Sequence, residues 1–222
     1  MMETNLKKFT EKRDYSQLQE AYNKKRSEIE KRLQDFKAVF SKSDYEVFTE
    51  LCFCLMTPQT KAKSAAHAIE KLKENDLIRK GTQHEIKNWM ASIRFNENKS
   101  GYIVKAREML TENGEIKIKD KLQGDKKEVR QWLVDNIKGY GLKEASHFLR
   151  NIGFGDDIAI LDRHILKNLV KNGIIDKVPK VLTDKRYLEI EDRMRLFSKE
   201  LNIPMDHLDL VWWSEETGEI FK

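Results

Sequence analysis

Two residues in this sequence have the types and settings of a covalent catalyst. Lys143 follows Lys138-Gly139-Tyr140-Gly141-Leu142 and falls in the first turn of a helix predicted over 142–152. An amine is a nucleophile only without its extra proton, and the positive end of a helix disfavours a second positive charge beside it. The plain alternative is a solvated surface lysine. Asp162 stands nineteen positions further on (162 − 143 = 19), after the apolar Ala159-Ile160-Leu161 and just before a helix predicted over 163–171. Aspartate is a favoured N-cap. A capping carboxylate is also held rigidly, so it could stabilise positive charge developing in a reaction.

The element that must position Lys143 is a pair of helices, 126–137 and 142–152, joined by Lys138-Gly139-Tyr140-Gly141. Two glycines one residue apart let the chain turn tightly and keep side chains out of the way of an approaching anion. The free N–H groups of the second helix would face the same point. Such a helix–hairpin–helix unit can hold a nucleic-acid phosphate without reading sequence. An ordinary αα-hairpin with glycine caps would look the same at this level.

Around that unit nearly every segment carries helical periodicity. The chain predicts a long solvated helix over 14–34 and a buried helix over 44–56 (Val47, Phe48, Leu51, Phe53, Leu55) that stops at Thr57-Pro58. Further helices are expected over 61–74, 85–90, 98–113, 187–201 and 205–217, with Gly114 closing the 98–113 helix as a C′ glycine. Ile116 and Ile118 alternate with lysines over too short a run to build a sheet. The expected fold is all-α and two-lobed, with the site in a cleft. One lobe is assigned to 1–56 plus 155–222. The other, 57–154, carries the helix–hairpin–helix at 126–152.

Composition narrows the classes of function. Of 222 residues, 36% are charged and 39% hydrophobic, which excludes a membrane-spanning protein but allows a real core. Lys and Arg number 42 against 37 Asp and Glu, a net charge of +5, so an anionic partner such as nucleic acid is plausible. The N-terminus is polar and charged, unlike a secretory leader. Cys52 and Cys54, two apart on one helix, point in different directions, which disfavours a disulfide, and are too few for an iron–sulfur cluster; the expected compartment is the reducing cytoplasm. The five histidines have no metal-ligand spacing. His147 shares a helix face with Lys143 and is expected to be a buried structural residue.

The run Ile137-Lys138-Gly139-Tyr140-Gly141-Leu142-Lys143-Glu144-Ala145, followed by Ala159-Ile160-Leu161-Asp162-Arg163-His164-Ile165, resembles the helix–hairpin–helix DNA glycosylase superfamily. Within it, residues 138–153 and the ending Leu208-Asp209-Leu210-Val211-Trp212-Trp213, with Lys222, are most similar to the archaeal-type 8-oxoguanine DNA glycosylase/AP lyase family. The resemblance implies a DNA repair enzyme of the two-lobed glycosylase fold that works on double-stranded DNA containing 8-oxoguanine. It implies that Lys143 attacks the anomeric carbon, that Asp162 activates the lysine and supports the oxocarbenium-like transition state, and that a Schiff base then leads to β-elimination. It further implies that Phe95, Trp213 and Lys222 recognise the base, that Gln59 reaches into the duplex beside the extruded nucleotide, and that Gly139 and Gly141 approach a phosphate. Trp212 is expected to be structural. No cofactor is implied, beyond a monovalent cation that hairpin carbonyls near Ile137 and Gly139 could hold. A monomer is the default. Two other readings remain open on the residues: a non-catalytic helix–hairpin–helix DNA-binding module, and an endonuclease III-like glycosylase for oxidised pyrimidines.

Overall fold

The computed structural model describes residues 13–221. Among them the chain forms eleven α-helices: α1 (Ser16–Phe40), α2 (Asp44–Met56), α3 (Ala62–Glu74), α4 (Leu77–Lys80), α5 (Gln83–Asn88), α6 (Asn96–Leu110), α7 (Lys126–Asn136), α8 (Leu142–Asn151), α9 (Arg163–Lys171), α10 (Asp184–Leu201) and α11 (Met205–Thr217). Two two-residue strands, β1 (Thr111–Glu112) and β2 (Glu115–Ile116), are the exception to an all-α architecture. Among the described residues no helix is long and apolar enough to cross a membrane.

Side-chain caps set several of the helix starts. Ser43 caps α2 by accepting from the Glu46 N–H, Asp125 caps α7 through the Lys127 and Glu128 N–H groups, and Thr82 and Glu85 close a reciprocal capping box on α5. Two elements differ from the sequence expectation. The first helix is longer than 14–34 and carries a buried stripe, Leu18, Tyr22, Ile29, Leu33 and Phe36, at helical spacing. Its abundant charges line the other faces. The sixth helix stops at Leu110, and Gly114 is not its C′ residue. Instead Asn113 (φ 52°) and Gly114 (φ 80°) make the turn of a hairpin that pairs Thr111 with Ile116 and Glu112 with Glu115. Asn-Gly favours such a turn because both central residues must take positive φ.

The chain divides into two compact units, Met1–Phe36 with Gly153–Lys222, and Lys37–Ile152. The first boundary is therefore at 36/37, where the sequence placed it at 56/57, and the second lies two residues before the expected 155. The shift has a packing cause. Helix α2 is surrounded within the Lys37–Ile152 unit, where it packs against α3, α6 and α8. Every residue from Val47 to Met56 is buried, including Thr49 and Glu50. Glu50 is tolerated there because it accepts a 2.7 Å hydrogen bond from Asn151 Nδ2. In the other unit α11 packs against α9 and α10, and Trp212 lies parallel to Phe197 at 6.3 Å between ring centres. Trp212 is 1% exposed, a core residue as expected.

The hairpin between α7 and α8 is fastened to this scaffold by Tyr140. Its ring is buried beside Phe148, and its hydroxyl donates to the Leu51 carbonyl at 2.9 Å. Burial raises the Tyr140 pKa, so the phenol remains a donor. Gly139 adopts φ 95°, and a Cβ there would sit 2.4 Å from Tyr102 Cδ2. Gly141 is different: it is extended (φ −117°), and a Cβ would meet nothing closer than Glu144 Oε2 at 3.5 Å. The two glycines should thus separate on mutation. Gly139→Ala is expected to destabilise the protein by about 2–4 kcal/mol through backbone strain and overlap, and Gly141→Ala by less than about 1 kcal/mol. Urea unfolding midpoints of the two variants measure the difference.

Candidate active site

The Lys37–Ile152 unit carries Lys143, Gly139, Gly141, Gln59 and Phe95. Lys143 occupies the first turn of α8, as the sequence predicts. Its Nζ lies 3.4 Å from Glu144 Oε1, with the two side chains 24% and 16% exposed. Glu144 also accepts from the Gly141 N–H through its other oxygen at 3.3 Å, the second half of a capping arrangement at the start of α8. The same carboxylate therefore holds the hairpin exit and the amine. Sequence reasoning passed over Glu144. Its signal was the position three residues after the hairpin glycine, where a capping-box glutamate belongs. The Ile137 carbonyl, named as a cation ligand, accepts the Tyr140 N–H at 3.0 Å and keeps a second lone pair.

Gln59 and Phe95 are both exposed and both left-handed, with φ 54° and 60°. Neither is glycine or asparagine, and each such residue costs about 1–3 kcal/mol unless its surroundings impose the conformation. Phe95 precedes α6 and is 51% exposed, with the Arg94 guanidinium 5.0 Å from its ring centre. The turn that carries Gln59 is closed by the Thr60 N–H to the Thr57 carbonyl.

Lys99, from α6, lies beneath that turn and is 4% exposed. Its Nζ donates to the carbonyls of Met56 and Pro58, both at 2.7 Å, and to Thr60 Oγ1 at 3.2 Å. Burial, and then the nearby ammonium of Lys143, bring the Lys99 pKa down from 10.5 to about 8, with Glu144 acting in the opposite sense. Nothing local in the sequence distinguishes Lys99 from its neighbours.

The other unit carries Asp162 and Trp213. Asp162 caps α9: one oxygen, Oδ1, accepts the N–H groups of His164 and Ile165, both at 2.8 Å. Among the described residues no hydrogen bond reaches Oδ2. The segment leading to Asp162 is held by three side chains one turn apart on α10. Arg195 donates to Asp157 Oδ1 at 2.6 Å and to its carbonyl at 2.9 Å. Glu191 accepts the Ala159 N–H at 2.8 Å, and Tyr187 donates to the Ala159 carbonyl at 2.6 Å while accepting the Leu161 N–H at 3.2 Å. This ladder is a second feature that the sequence reading missed. Its i, i+4, i+8 spacing is visible, but its targets lie 26–38 residues away.

Trp213 is half-buried and meets the His164 ring edge-on at 5.2 Å, so α11 and the start of α9 place it near Asp162. His164 also contacts Glu216 Oε2 at 3.3 Å. Lys222 lies outside the described residues. The residue before it, Phe221, is tied back by its carbonyl to Arg32 Nε at 2.8 Å. His147 packs against Phe53 in the core, and both cysteines are buried and form no disulfide. Among the described residues no group of three or more His, Cys, Asp or Glu side chains could hold a metal ion.

The family described as 8-oxoguanine DNA glycosylase matches this chain over residues 29–203. The chain belongs to that family. Members similar to it come from bacteria and archaea. The 8-oxoguanine DNA glycosylase/AP lyase of Fusobacterium nucleatum is 46% identical over 211 residues, which is 94% of this chain and 97% of that protein. The crystal structure of the 8-oxoguanine DNA glycosylase of Thermotoga maritima superposes with a TM-score of 0.83 at 28% identity, over 93% of this chain and 97% of that one. The 8-oxoguanine glycosylase/lyase of Methanocaldococcus jannaschii, solved in complex with a 15mer DNA containing 8-oxoguanine, gives 0.80 at 38% identity, over 93% and 100%. The family match takes in the hairpin, Lys143 and Asp162, and stops short of Trp213 and the tail.

Proposed function

We propose that the protein is a bifunctional DNA glycosylase/AP lyase that removes 8-oxoguanine from double-stranded DNA and nicks the strand at the resulting site. The observation that carries this reading is an amine at the exit of a helix–hairpin–helix, in a chain that aligns along nearly its whole length with an 8-oxoguanine glycosylase/AP lyase. A DNA-binding module without catalysis needs the hairpin but not the amine.

In the proposed reaction Lys143 Nζ bonds to C1′ of the damaged nucleotide as the C1′–N9 bond breaks. The base leaves with the bonding pair and takes up a proton. Asp162 receives a proton from the attacking amine and stabilises positive charge on the sugar before the new bond is complete. The ring then opens to an imine between Lys143 and C1′. Loss of a C2′ proton expels the 3′ phosphate, and water releases the enzyme. Protein side chains and water suffice for these steps, and the hairpin carbonyls near Ile137 and Gly139 could hold a monovalent cation beside the phosphate. C1′ is hidden in a stacked duplex, so the nucleotide must swing out. Phe95 offers an exposed ring for stacking, Trp213 an indole, and Lys222 a tail group for the base edge. Gln59 fills the space left in the duplex, and the hairpin around Gly139 and Gly141 holds a phosphate. A monomer in the cytoplasm suits this chemistry, as do two buried cysteines that form no disulfide.

The test is borohydride trapping on a panel of duplexes. The wild-type protein should form a covalent adduct with 8-oxoguanine DNA and cut it. Binding without cutting any lesion would identify a clamp, and cutting only at thymine glycol would identify a pyrimidine enzyme.

A further inference from the structure

We infer that Lys99 is a positioning residue for base extrusion, its buried ammonium fastening the Gln59 turn and the Phe95 helix start so that both present their side chains to an everted nucleotide. The inference rests on the proposed reaction and adds to it a residue with no contact to the substrate.

Three acceptors converge on this one ammonium. The Met56 carbonyl closes α2, the Pro58 carbonyl precedes Gln59, and Thr60 Oγ1 follows it. An ammonium has three protons and no lone pair, so three acceptors saturate it. The same Thr60 oxygen accepts the Arg94 N–H at 3.2 Å, one residue before Phe95. The Phe95 carbonyl in turn accepts the Lys99 N–H at 3.1 Å. Lys99 and Thr60 thus link two short segments, and each segment carries one exposed residue with positive φ. Two positive-φ residues therefore flank one buried clamp between the end of α2 and the start of α6. A side chain with an apolar stem could fill the same space without a charge. Burying an ammonium is costly unless it organises something, and what it organises here is the pair of segments whose side chains the reaction requires.

Lys99→Met keeps the length and removes the donors. On an 8-oxoguanine duplex its single-turnover base release should fall about 10- to 100-fold. On a preformed abasic site, which has no base to unstack or hold, strand cleavage and borohydride trapping should stay within about threefold of wild type. Thr60→Val keeps the Lys99 ammonium and its two carbonyl acceptors but removes its third acceptor and cuts the link to Arg94. It should show the same selective loss at about 3- to 10-fold, and it decides the matter if Lys99→Met does not fold. Equal loss on both substrates, or no loss on 8-oxoguanine, overturns the inference. A wild-type protein that releases no 8-oxoguanine would instead overturn the proposed function.

Discussion

Lys143→Gln is expected to abolish both adduct formation and strand cleavage, with base release falling by at least about 10³-fold. Glutamine has nearly the same length but no amine, so neither the bond to C1′ nor the imine can form. Little else should change. The ion pair with Glu144 is partly solvated, and such pairs are worth no more than about 1 kcal/mol. Glu144 keeps its hydrogen bond from Gly141, so the hairpin exit retains its cap. The variant should therefore melt within a few degrees of wild type and bind a lesion duplex with similar affinity. Gel analysis after borohydride, beside a binding titration, reads both. A Lys143→Gln protein that still traps on 8-oxoguanine DNA would move the nucleophile to another amine.

Asp162→Asn separates capping from catalysis. Asparagine caps a helix about as well as aspartate, so the His164 and Ile165 N–H groups remain satisfied and stability should drop by less than about 1 kcal/mol. Base release should nevertheless fall about 10²- to 10³-fold, because an amide neither takes the amine's proton nor stabilises a cationic sugar. Asp162→Ala loses the cap as well and should cost about 1 kcal/mol more. Single-turnover excision, followed by hot alkali to reveal base release, is compared with thermal unfolding for the two variants. An Asp162→Asn enzyme with wild-type excision would leave the carboxylate a cap alone.

What could be read along the chain was what depends on neighbours in sequence. The bounds of α2, α9 and α11 follow from capping residues and apolar spacing within a dozen positions. Lys143 in the first turn of α8 and Asp162 at the N-cap of α9 follow in the same way, since a helix start is set by three or four consecutive residues. Gly114 was misplaced because a C′ glycine and the second residue of an Asn-Gly hairpin both take positive φ. Only the pairing of Thr111 with Ile116 distinguishes them.

Packing decided the rest. The unit boundary fell at 36/37 because α2 is buried on all sides by partners from other parts of the chain. Lys99 is one among 42 Lys and Arg residues, and nothing beside it in sequence sets it apart from the other lysines. Its acceptors lie 39 to 43 residues away, as the targets of Tyr187, Glu191 and Arg195 lie far from α10. A charged side chain lies in water by default and leaves it only when distant carbonyls and hydroxyls converge on it. That convergence is a property of the folded chain, and no window of local sequence contains it.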